Sequence, residues 1–469
     1  MGKSIYWCMI VWLIIMTARK LTNGESVEPM MELVKRHDIK YVRLIIIDLN
    51  GMPRAMLIPE YELETALRVG IGFDGSSMGL VNIENSDLTA HPDPGTFLAP
   101  MWETPGVALM FCYVSNPDGT PFMGDPRGRL KSTIDELERQ GLGYNTGPEL
   151  EYFYVTRQNG GIEPYGSGGY FYLPPMDPTE EMKLETMINL EAAGFQLDKI
   201  HHEVAGGQQE INFRYTDALK TADNAVLFKL VVKTIAEKHG AVATFMPKPF
   251  WGVNGSGCHV HQSLVDLKTG RNLFGDADTE TGLSQKAIHY VGGILRHASA
   301  MSMVVAPLVN SYKRLVPHFE APVYIGWGYG NRSALVRIPL YPGDKTVVTR
   351  IEYRHPDPSS NTYLISMAML KAGLDGVKHK VEPPEPFDEN LYRQKAKDME
   401  MLPENLGEAV DVFEKDPVVS GALGDYIAGR LVRAKRAEYD EYLKYVGTDW
   451  ATSRPKITPW EYGRYLTTC

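Results

Sequence analysis

The sequence has few cysteines and no excess of positive charge. Its four cysteines are widely separated and include no C-x-x-C pair, which excludes a zinc ribbon or a disulfide framework and favours a cytoplasmic, reducing compartment. Lys and Arg together number 48 against 58 Asp and Glu, a net charge of −10. Because a protein held on nucleic acid by phosphate contacts needs a basic surface, this balance argues against a nucleic-acid partner.

The sequence also lacks a hydrophobic run long enough to cross a membrane. The unbroken apolar run at residues 5–16 has 12 residues, whereas a transmembrane helix needs about 20. Lys3 precedes the run as in a secretory signal, but Arg19 follows it in place of a small-residue cleavage site. We therefore interpret residues 1–29 as an extension or an upstream start before Met30, with a signal peptide or membrane tether as the alternative.

The chain is long enough for more than one domain. It has 469 residues, of which 43% are hydrophobic and 23% charged, as in ordinary folded proteins. β-Branched residues at 41–47 predict a strand, and 68–96 is a Gly-, Asn-, Asp- and Pro-rich stretch that we expect to be a functional loop. Asp125 and Pro126 have the pattern of a helix start. The predicted division is residues 1–29, 30–123 and 124–469.

Strand and helix patterns alternate in the third of these segments, residues 124–469. Strands are predicted at 147–155, 208–215, 256–264 and 347–354. Helices are predicted at 127–140, 178–194, 217–239, 282–302 and 359–376, and a charged helical stretch begins at 387.

Carboxylates and imidazoles recur two residues apart on the predicted strands. Glu149 and Glu151 share one face of a strand, and His259 and His261 share another. Like charges side by side destabilise a sheet unless a cation lies near them. Any one E-x-E or H-x-H pattern is more typical of a solvated or structural face. The convergence of several such strands, however, predicts a site for magnesium or manganese, whose preferred ligands are oxygens.

Five arginines lie close together in the sequence after these motifs. They are Arg314, Arg332, Arg337, Arg350 and Arg354. The guanidinium group binds carboxylate or phosphate in bidentate fashion, so this set suits a substrate that carries both groups. For a single arginine, an ordinary surface ion pair is the simpler interpretation.

Seven sequence blocks together resemble one enzyme family. They are GPELE (147–151), HHEV (201–204), MPKP (246–249), NGSGCHVH (254–261), NSYKRL (310–315), EAP (320–322) and NRS (331–333). Their order and content are similar to those of type I glutamine synthetase, from about residue 32 to the end. The resemblance implies an α+β fold: a small N-terminal β-grasp-like domain, and a large catalytic domain with a curved antiparallel sheet flanked by helices. It also implies ATP-dependent formation of glutamine from glutamate and ammonia through a γ-glutamyl phosphate, the family's part in nitrogen assimilation.

The resemblance assigns roles to residues by motif. One divalent ion, Mg²⁺ or Mn²⁺, is expected at Glu151, Glu203 and Glu210, and a second at Glu149, His259 and Glu352. Arg332 and Arg337 are expected to meet the transferred phosphoryl group. The residues expected to bind glutamate are Asn254, Gly255, Arg314 and Arg354, and those expected to bind ATP are His261, Ser263, Arg337, Arg350 and Tyr215.

Ammonium and water exclusion complete the implied site. Asp74 resembles the family's proton acceptor, with Tyr170, Asp87 and Glu203 forming an anionic pocket, and Glu320 resembles the flap residue that closes the site. Because Asp74 lies in the small domain, the resemblance implies sites between neighbouring subunits of a homo-oligomer of two stacked hexameric rings.

Two positions depart from the family pattern. Val347 stands where many bacterial relatives have a lysine, which leaves the nucleotide contacts incomplete. Tyr392 matches a tyrosine that some bacterial members modify, but the residues after it do not match, so we expect it to be unmodified.

Three alternative functions remain open from the sequence. A sister ligase would join glutamate to a larger amine, but Asp74, Asp87 and Tyr170 favour ammonium. A catalytically inactive scaffold would have no need of clustered carboxylates, and a two-metal hydrolase would not explain the arginines.

Overall fold

The computed structural model describes residues 27–158, 161–392 and 399–469. Most of the predicted extension at 1–29 therefore lies outside the described residues. The chain divides into two compact units: the first comprises residues up to 129 with 181–197 and 226–235, and the second comprises 130–180, 198–225 and 236–469. The predicted boundary near residue 123 stays a prediction. Within the described ranges, no helix is both long enough and apolar enough to span a membrane.

The first unit is built on a five-stranded sheet. Its strands are β1 (Tyr41–Ile47), β2 (Pro53–Pro59), β3 (Ile71–Asp74), β4 (Asp87–Pro92) and β5 (Val107–Ser115), in the order β2-β1-β5-β4-β3. β1 and β5 are parallel and the other neighbours are antiparallel. β1 and β5 are almost wholly buried, which agrees with the near-continuous apolar character of both strands.

The Gly-rich stretch at 68–96 is not the long loop expected from its composition. It contains β3 and β4, which pair so that Asp74 lies opposite Asp87. Alternation in β4 buries Leu88 and Ala90 and leaves the intervening side chains partly exposed, a pattern that the surrounding Gly, Asn and Pro residues obscure in the sequence.

The second unit is built on a ten-stranded sheet. Its strands are β6 (Leu142–Gln158), β7 (Gly161–Pro164), β8 (Leu197–His202), β9 (Gln208–Phe213), β10 (Thr216–Asp217), β11 (Val242–Thr244), β12 (Cys258–Asp266), β13 (Trp327–Tyr329), β14 (Val336–Ile338) and β15 (Ile351–Tyr353). The main order is β13-β14-β15-β12-β6-β9-β8, and β7, β10 and β11 also pair with β6. The pairs β12–β15, β12–β6, β14–β15 and β6–β9 are antiparallel, and β13–β14 is parallel. The predicted α+β class with a curved, mostly antiparallel catalytic sheet is confirmed.

Fifteen α-helices occur in the described residues. They are α1 (Glu28–Arg36), α2 (Leu63–Val69), α3 (Pro126–Arg139), α4 (Glu180–Ala192), α5 (Ala218–Lys238), α6 (Gln285–Arg296), α7 (Ala298–Val305), α8 (Ser311–Arg314), α9 (Lys345–Val348), α10 (Thr362–His379), α11 (Leu406–Phe413), α12 (Pro417–Leu423), α13 (Asp425–Val446), α14 (Trp450–Ser453) and α15 (Pro459–Tyr465). Short 3-10 helices lie at Glu60–Glu62, Ile83–Asn85 and Pro94–Thr96.

Three predicted elements differ from the structure. The strand predicted at 347–354 is shortened to β15, because the Asp344 side chain caps helix α9 just before it. The helix predicted at 282–302 is two helices, broken at His297, whose ring bonds to Asp375 and Asp416. In the described residues after 387, which omit 393–398, the first helix is α11, where Asn405 provides the N-cap.

Candidate active site

Strand register brings the carboxylates and imidazoles of the second unit together. His259 of β12 lies directly opposite Glu149 of β6, and Glu151 lies opposite Glu210 of β9. His261 lies opposite Glu352 of β15. Leu150, between the two glutamates of β6, is fully buried, so the predicted alternation of a core face and a polar face is confirmed there.

Glu149, Glu151, Glu210 and His259 line a cavity of about 380 Å³, called here the carboxylate cavity. It contains most of the residues that the family resemblance selects: Glu149, Glu151, Glu203, Glu210, His259, Asn254, Gly255, Arg314, Glu320, Arg332, Arg337, Arg354 and Tyr170. Glu352 lies directly behind it, bonded to Arg337 and Arg354.

One group of metal-ligating atoms lies on β8, β9 and the turn between them. His201, Glu203 and Glu210 each offer a ligand atom within 4.8 Å of the others. Burial and the charges of Glu151 and Glu210 raise the pKa of Glu203 to about 9. Burial and Glu210 likewise raise the pKa of Glu151 to about 7. Buried, mutually repelling carboxylates of this kind are stabilised in the ionised form when a cation binds among them.

A second group lies on β6, β12 and β15. Glu149, His261 and Glu352 offer ligand atoms within 4.8 Å of one another, and His261 Nε2 is 3.1 Å from Glu149 Oε1. Burial acts against ionisation of Glu149, but hydrogen bonds with His259 and His261 hold the pKa of Glu149 well below its usual range. Burial and the charge of Arg354 lower the pKa of His259, which keeps the ring neutral and able to act as a ligand.

The donor sets fit hard divalent cations. Each group combines carboxylate oxygens with a single imidazole, the ligand chemistry that suits Mg²⁺ or Mn²⁺. Glu151, which the family resemblance groups with Glu203 and Glu210, accepts hydrogen bonds from the Gly257 N–H at 2.8 Å and from Gln208 Nε2 at 3.0 Å.

Arginines and a glycine-rich turn also line the carboxylate cavity. Arg314 is buried and donates to the carbonyl oxygens of His355 (2.9 Å) and Arg354 (3.2 Å), which fixes the guanidinium plane. A Cβ at Gly255 would lie 2.3 Å from the Pro247 oxygen, so only glycine fits this close turn. The turn therefore packs directly against the Pro247 backbone and the Arg314 side chain.

Glu320 and Tyr392 stand at one side of the carboxylate cavity. Glu320 Oε2 accepts a hydrogen bond of 2.8 Å from Asn254 Nδ2. The Tyr392 hydroxyl lies 3.0 Å from the Glu320 carbonyl and 2.6 Å from the Arg332 carbonyl. The Glu320 side chain thus bonds to Asn254, and its backbone carbonyl bonds to Tyr392.

A second cavity of about 520 Å³ adjoins the first, because Glu149, Lys199 and Tyr341 line both. We call it the Tyr215 cavity. It contains the other predicted nucleotide residues, namely Tyr215, His261, Ser263 and Arg350, and also Val347. The Arg350 guanidinium lies 4.2 Å from the centre of the Tyr341 ring. An aromatic and cationic wall of this kind suits a flat, phosphate-bearing ligand.

Asp74 and Asp87 lie in the first unit and are not among the lining residues of these two cavities. The Asp74 carboxylate accepts hydrogen bonds of 2.6 Å from the hydroxyls of Ser76 and Ser77. These bonds lower the pKa of Asp74 to about 2, so it is ionised at neutral pH.

The sequence reasoning missed three polar residues around the carboxylate cavity. His201 has the same two-residue spacing from Glu203 that identified the other pairs, so the pattern itself could have found it. Gln208 contacts both Glu151 and the Gly255 carbonyl. Lys248 lies in the MPKP block but was given no role.

The chain matches two family models along most of its length. Residues 38–117 match the glutamine synthetase β-grasp domain, and residues 123–465 match the glutamine synthetase catalytic domain.

Relatives named glutamine synthetase occur in both archaea and bacteria. The protein from Pyrococcus horikoshii is 47% identical over 440 residues, covering 91% of this chain and 96% of the relative. That from Methanosarcina mazei is 44% identical, covering 96% and 98%. That from Thermotoga maritima is also 44% identical, covering 94% and 99%.

Solved structures of similar fold include a GmaS/ADP complex and GmaS without ligand. The first is 32% identical with a TM-score of 0.82 and covers 92% of this chain and 98% of its own. The second is 33% identical with the same TM-score and covers 93% and 98%.

Proposed function

Because this chain belongs to the glutamine synthetase family, we propose that it forms glutamine at the carboxylate cavity, where metal-ligating side chains and arginines lie close together. The family activity is formation of glutamine from glutamate and ammonia with ATP. The observation that carries the proposal is that one carboxylate–imidazole group lines the carboxylate cavity together with Arg314, Arg337 and Arg354, while the second group adjoins it through Glu149, which lines both cavities.

The proposed first step transfers a phosphoryl group to glutamate. A γ-carboxylate oxygen bonds to the terminal phosphorus of ATP while the bond to the bridging oxygen breaks, giving γ-glutamyl phosphate and ADP. Two divalent cations, held by the groups around Glu149 and Glu203, would neutralise phosphate charge when bound. Arg337 and Arg332 line the same cavity, where their charges favour the developing negative charge.

Arg314, Arg354 and the turn at Asn254 and Gly255 are proposed to hold the glutamate substrate. Arg314 is already fixed by two carbonyl oxygens, so little entropy is lost when it meets a carboxylate. The Tyr215 cavity is proposed to hold ATP, with its phosphates directed toward Glu149 and His261, which lie at the boundary of the two cavities.

The proposed second step is attack by ammonia. Ammonium would be held among Glu203, Tyr170 and Asp74 of a neighbouring copy and would first lose a proton to Asp74, because ammonia, unlike ammonium, has the lone pair that attacks the carbonyl carbon. The adduct then loses a second proton to the departing phosphate, which gives the neutral amide. The C–N bond forms, the C–O bond to phosphate breaks, and phosphate leaves. Burial and the Glu203 charge raise the pKa of Tyr170, so its hydroxyl stays protonated.

The assembly and cell biology belong to the same proposal. We place Asp74 of one chain at the carboxylate cavity of its neighbour in a homo-oligomer of two stacked hexameric rings. The exposed position of Asp74, outside the residues lining the described cavities, supports an arrangement in which another copy completes the site. The enzyme would act in the cytoplasm, in nitrogen assimilation.

A phosphate-release assay on purified full-length protein tests this function. ATP, glutamate and ammonium together should give one phosphate per glutamine, with Mg²⁺ and then Mn²⁺ as the added metal. Faster turnover with larger amines would indicate a sister ligase. Phosphate release without glutamate would indicate a hydrolase, and no turnover with any combination would contradict catalysis.

The matched variants are Glu352→Gln and Glu414→Gln. Glu352 is buried between Arg337 and Arg354, so its neutralisation should abolish turnover. Glu414 is an exposed glutamate far along the chain and should leave turnover unchanged.

A further inference from the structure

The MPKP block, residues 246–249, has no role in the reaction described above, yet it places a lysine beside the carboxylate cavity. Lys248 is completely buried. Its backbone N–H donates to Asn310 Oδ1 at 2.7 Å, and its carbonyl accepts from Asn310 Nδ2 at 3.0 Å. These two bonds fix the backbone of Lys248 and therefore the direction in which its side chain leaves the chain.

The Lys248 ammonium contacts two different segments. It donates to the Val253 carbonyl and lies 3.9 Å from the centre of the Phe319 ring. The Trp251 ring lies 5.7 Å away. Burial and the charge of Arg314 lower the pKa of Lys248 to about 7, and no carboxylate in the described ranges forms an ion pair with it. The carbonyl and the ring face are therefore its main partners.

The two contacted segments carry residues of the proposed reaction. Val253 precedes Asn254, and Phe319 precedes Glu320. The side chains of Asn254 and Glu320 are joined by a hydrogen bond of 2.8 Å. Backbone strain accumulates in the second segment, since His318 (φ 76°) and Glu320 (φ 55°) are both left-handed without being glycine. Such conformations persist only where surrounding contacts hold them.

We propose that Lys248 is a positioning residue that holds Asn254 and Glu320 together through the Val253 carbonyl and the Phe319 ring. The proposal rests on the substrate and flap roles given to those two residues above. Lys248 itself touches neither. The buried Lys248 amine contacts the residue that precedes each partner of the Asn254–Glu320 bond, and both partners line the carboxylate cavity.

Loss of this support has a specific chemical consequence. When Glu320 moves away, water reaches γ-glutamyl phosphate, and its oxygen replaces the nitrogen of ammonia as the nucleophile. The products are then glutamate and phosphate in place of glutamine and phosphate. The number of phosphates released per glutamine formed should therefore rise above one, which a general loss of stability would not cause.

The test is a double-mutant cycle of Lys248→Met and Phe319→Leu in the full-length protein. Each change removes one partner of the cation–ring contact while keeping apolar bulk. Each should lower the kcat for glutamine formation roughly 3- to 30-fold with smaller effects on the KM for ATP, and the double variant should be little worse than either.

Two controls separate positioning from folding. Phe319→Tyr keeps the ring face and should retain most activity and a phosphate-to-glutamine ratio near one, whereas Lys415→Met makes the same chemical change at an exposed site. If Lys248→Met lowers the thermal unfolding temperature too far, Phe319→Leu alone provides the test, because the Phe319 side chain is partly exposed.

The outcomes are distinct for each proposal. Wild-type protein that fails to form glutamine contradicts the proposed function itself. Active wild type with additive losses in the cycle, or with a ratio of one in both single variants, overturns the role of Lys248.

Discussion

Glu320 has a left-handed backbone conformation and a side chain that bonds to Asn254, in the turn proposed to bind glutamate. Its carboxylate bonds to Asn254, while its carbonyl is held independently by the Tyr392 hydroxyl. Removing the carboxylate therefore leaves one of the two contacts that position the segment. The side chain and the backbone of this residue can be tested separately.

Glu320→Ala should leave the affinities for glutamate and ATP nearly unchanged and slow amide formation by about 10- to 100-fold, because the closed cavity is no longer completed. Initial rates of glutamine formation and ATP binding by calorimetry measure the two effects. Glu163→Ala, at an exposed glutamate, serves as the matched control. Unchanged turnover in Glu320→Ala would remove the flap role.

Asp74→Asn should raise the KM for ammonium by about 10-fold or more without altering nucleotide affinity, because the amide can neither attract the cation nor accept its proton. Since the pKa of Asp74 is about 2, the wild-type ammonium dependence should show no transition from this residue near neutral pH.

Asp118→Asn is a close control for this change. Asp118 is also exposed and accepts bonds from the Thr120 hydroxyl and N–H, which lower its pKa in the same manner. Equal loss of ammonium use and nucleotide binding in Asp74→Asn would contradict the assignment.

At the scale of the element, strand alternation was predictable and strand register was not. The E-x-E and H-x-H patterns correctly indicated which face of β6 and β12 is polar. They could not indicate that His259 lies opposite Glu149, or His261 opposite Glu352, because those pairings join segments about a hundred residues apart. Pairing partners depend on the packing of the whole sheet.

The predicted ends of some helices and strands were wrong because they depend on local capping contacts, which the hydrophobic pattern does not indicate. The Asp344 cap places residues 347–348, the start of the predicted strand, in helix α9. The contacts of Lys248 were equally hidden, since an isolated lysine in a loop gives no sign that it is buried under an aromatic ring. Motifs identified much of the polar lining, and tertiary contacts supplied the rest.

His297 joins three helices and should make stability depend on pH. It ends α6, and its ring contacts Asp375 of α10 at 3.1 Å and Asp416, the N-cap of α12, at 2.6 Å. Burial acts to lower the pKa of His297, but the bonds to Asp416 and Asp375 outweigh it and raise the pKa above 6.5. Folding therefore favours the protonated ring.

His297→Gln should accordingly cost about 1 kcal/mol of unfolding free energy below the unfolded-state pKa, and less as pH rises through the raised value. Urea unfolding near about pH 5.5 and about pH 8.5 measures the difference. His379→Gln removes a more exposed ring on the same Asp375 and should have a smaller effect. An equal loss at both pH values would contradict the linkage.

At the scale of the whole molecule, the proposed ring predicts that inactive chains can complement each other. Asp74→Asn and Glu203→Gln should each be impaired alone, because each damages one half of the ammonium pocket. In rings coexpressed from equal amounts of both, about one quarter of the sites should combine two intact halves. Recovery of ammonium-dependent activity measures these sites.

Light scattering provides the control for this mixture. Each variant and the mixed assembly should have the mass expected of twelve chains of 52.5 kDa. Assemblies of that mass without recovered activity would place Asp74 and Glu203 in the same chain's site.

The position of β15 in the chain has a consequence for biosynthesis. The ribosome produces β6 and β12 long before Ile351–Tyr353, so the outer edge of β12 stays unpaired while the intervening helices emerge. A nascent chain stalled before residue 351 carries the glutamates of β6 and β9 without the arginine that follows β15, and exposes a strand edge to other chains. Chains that pause during translation in this interval should therefore be the first to aggregate.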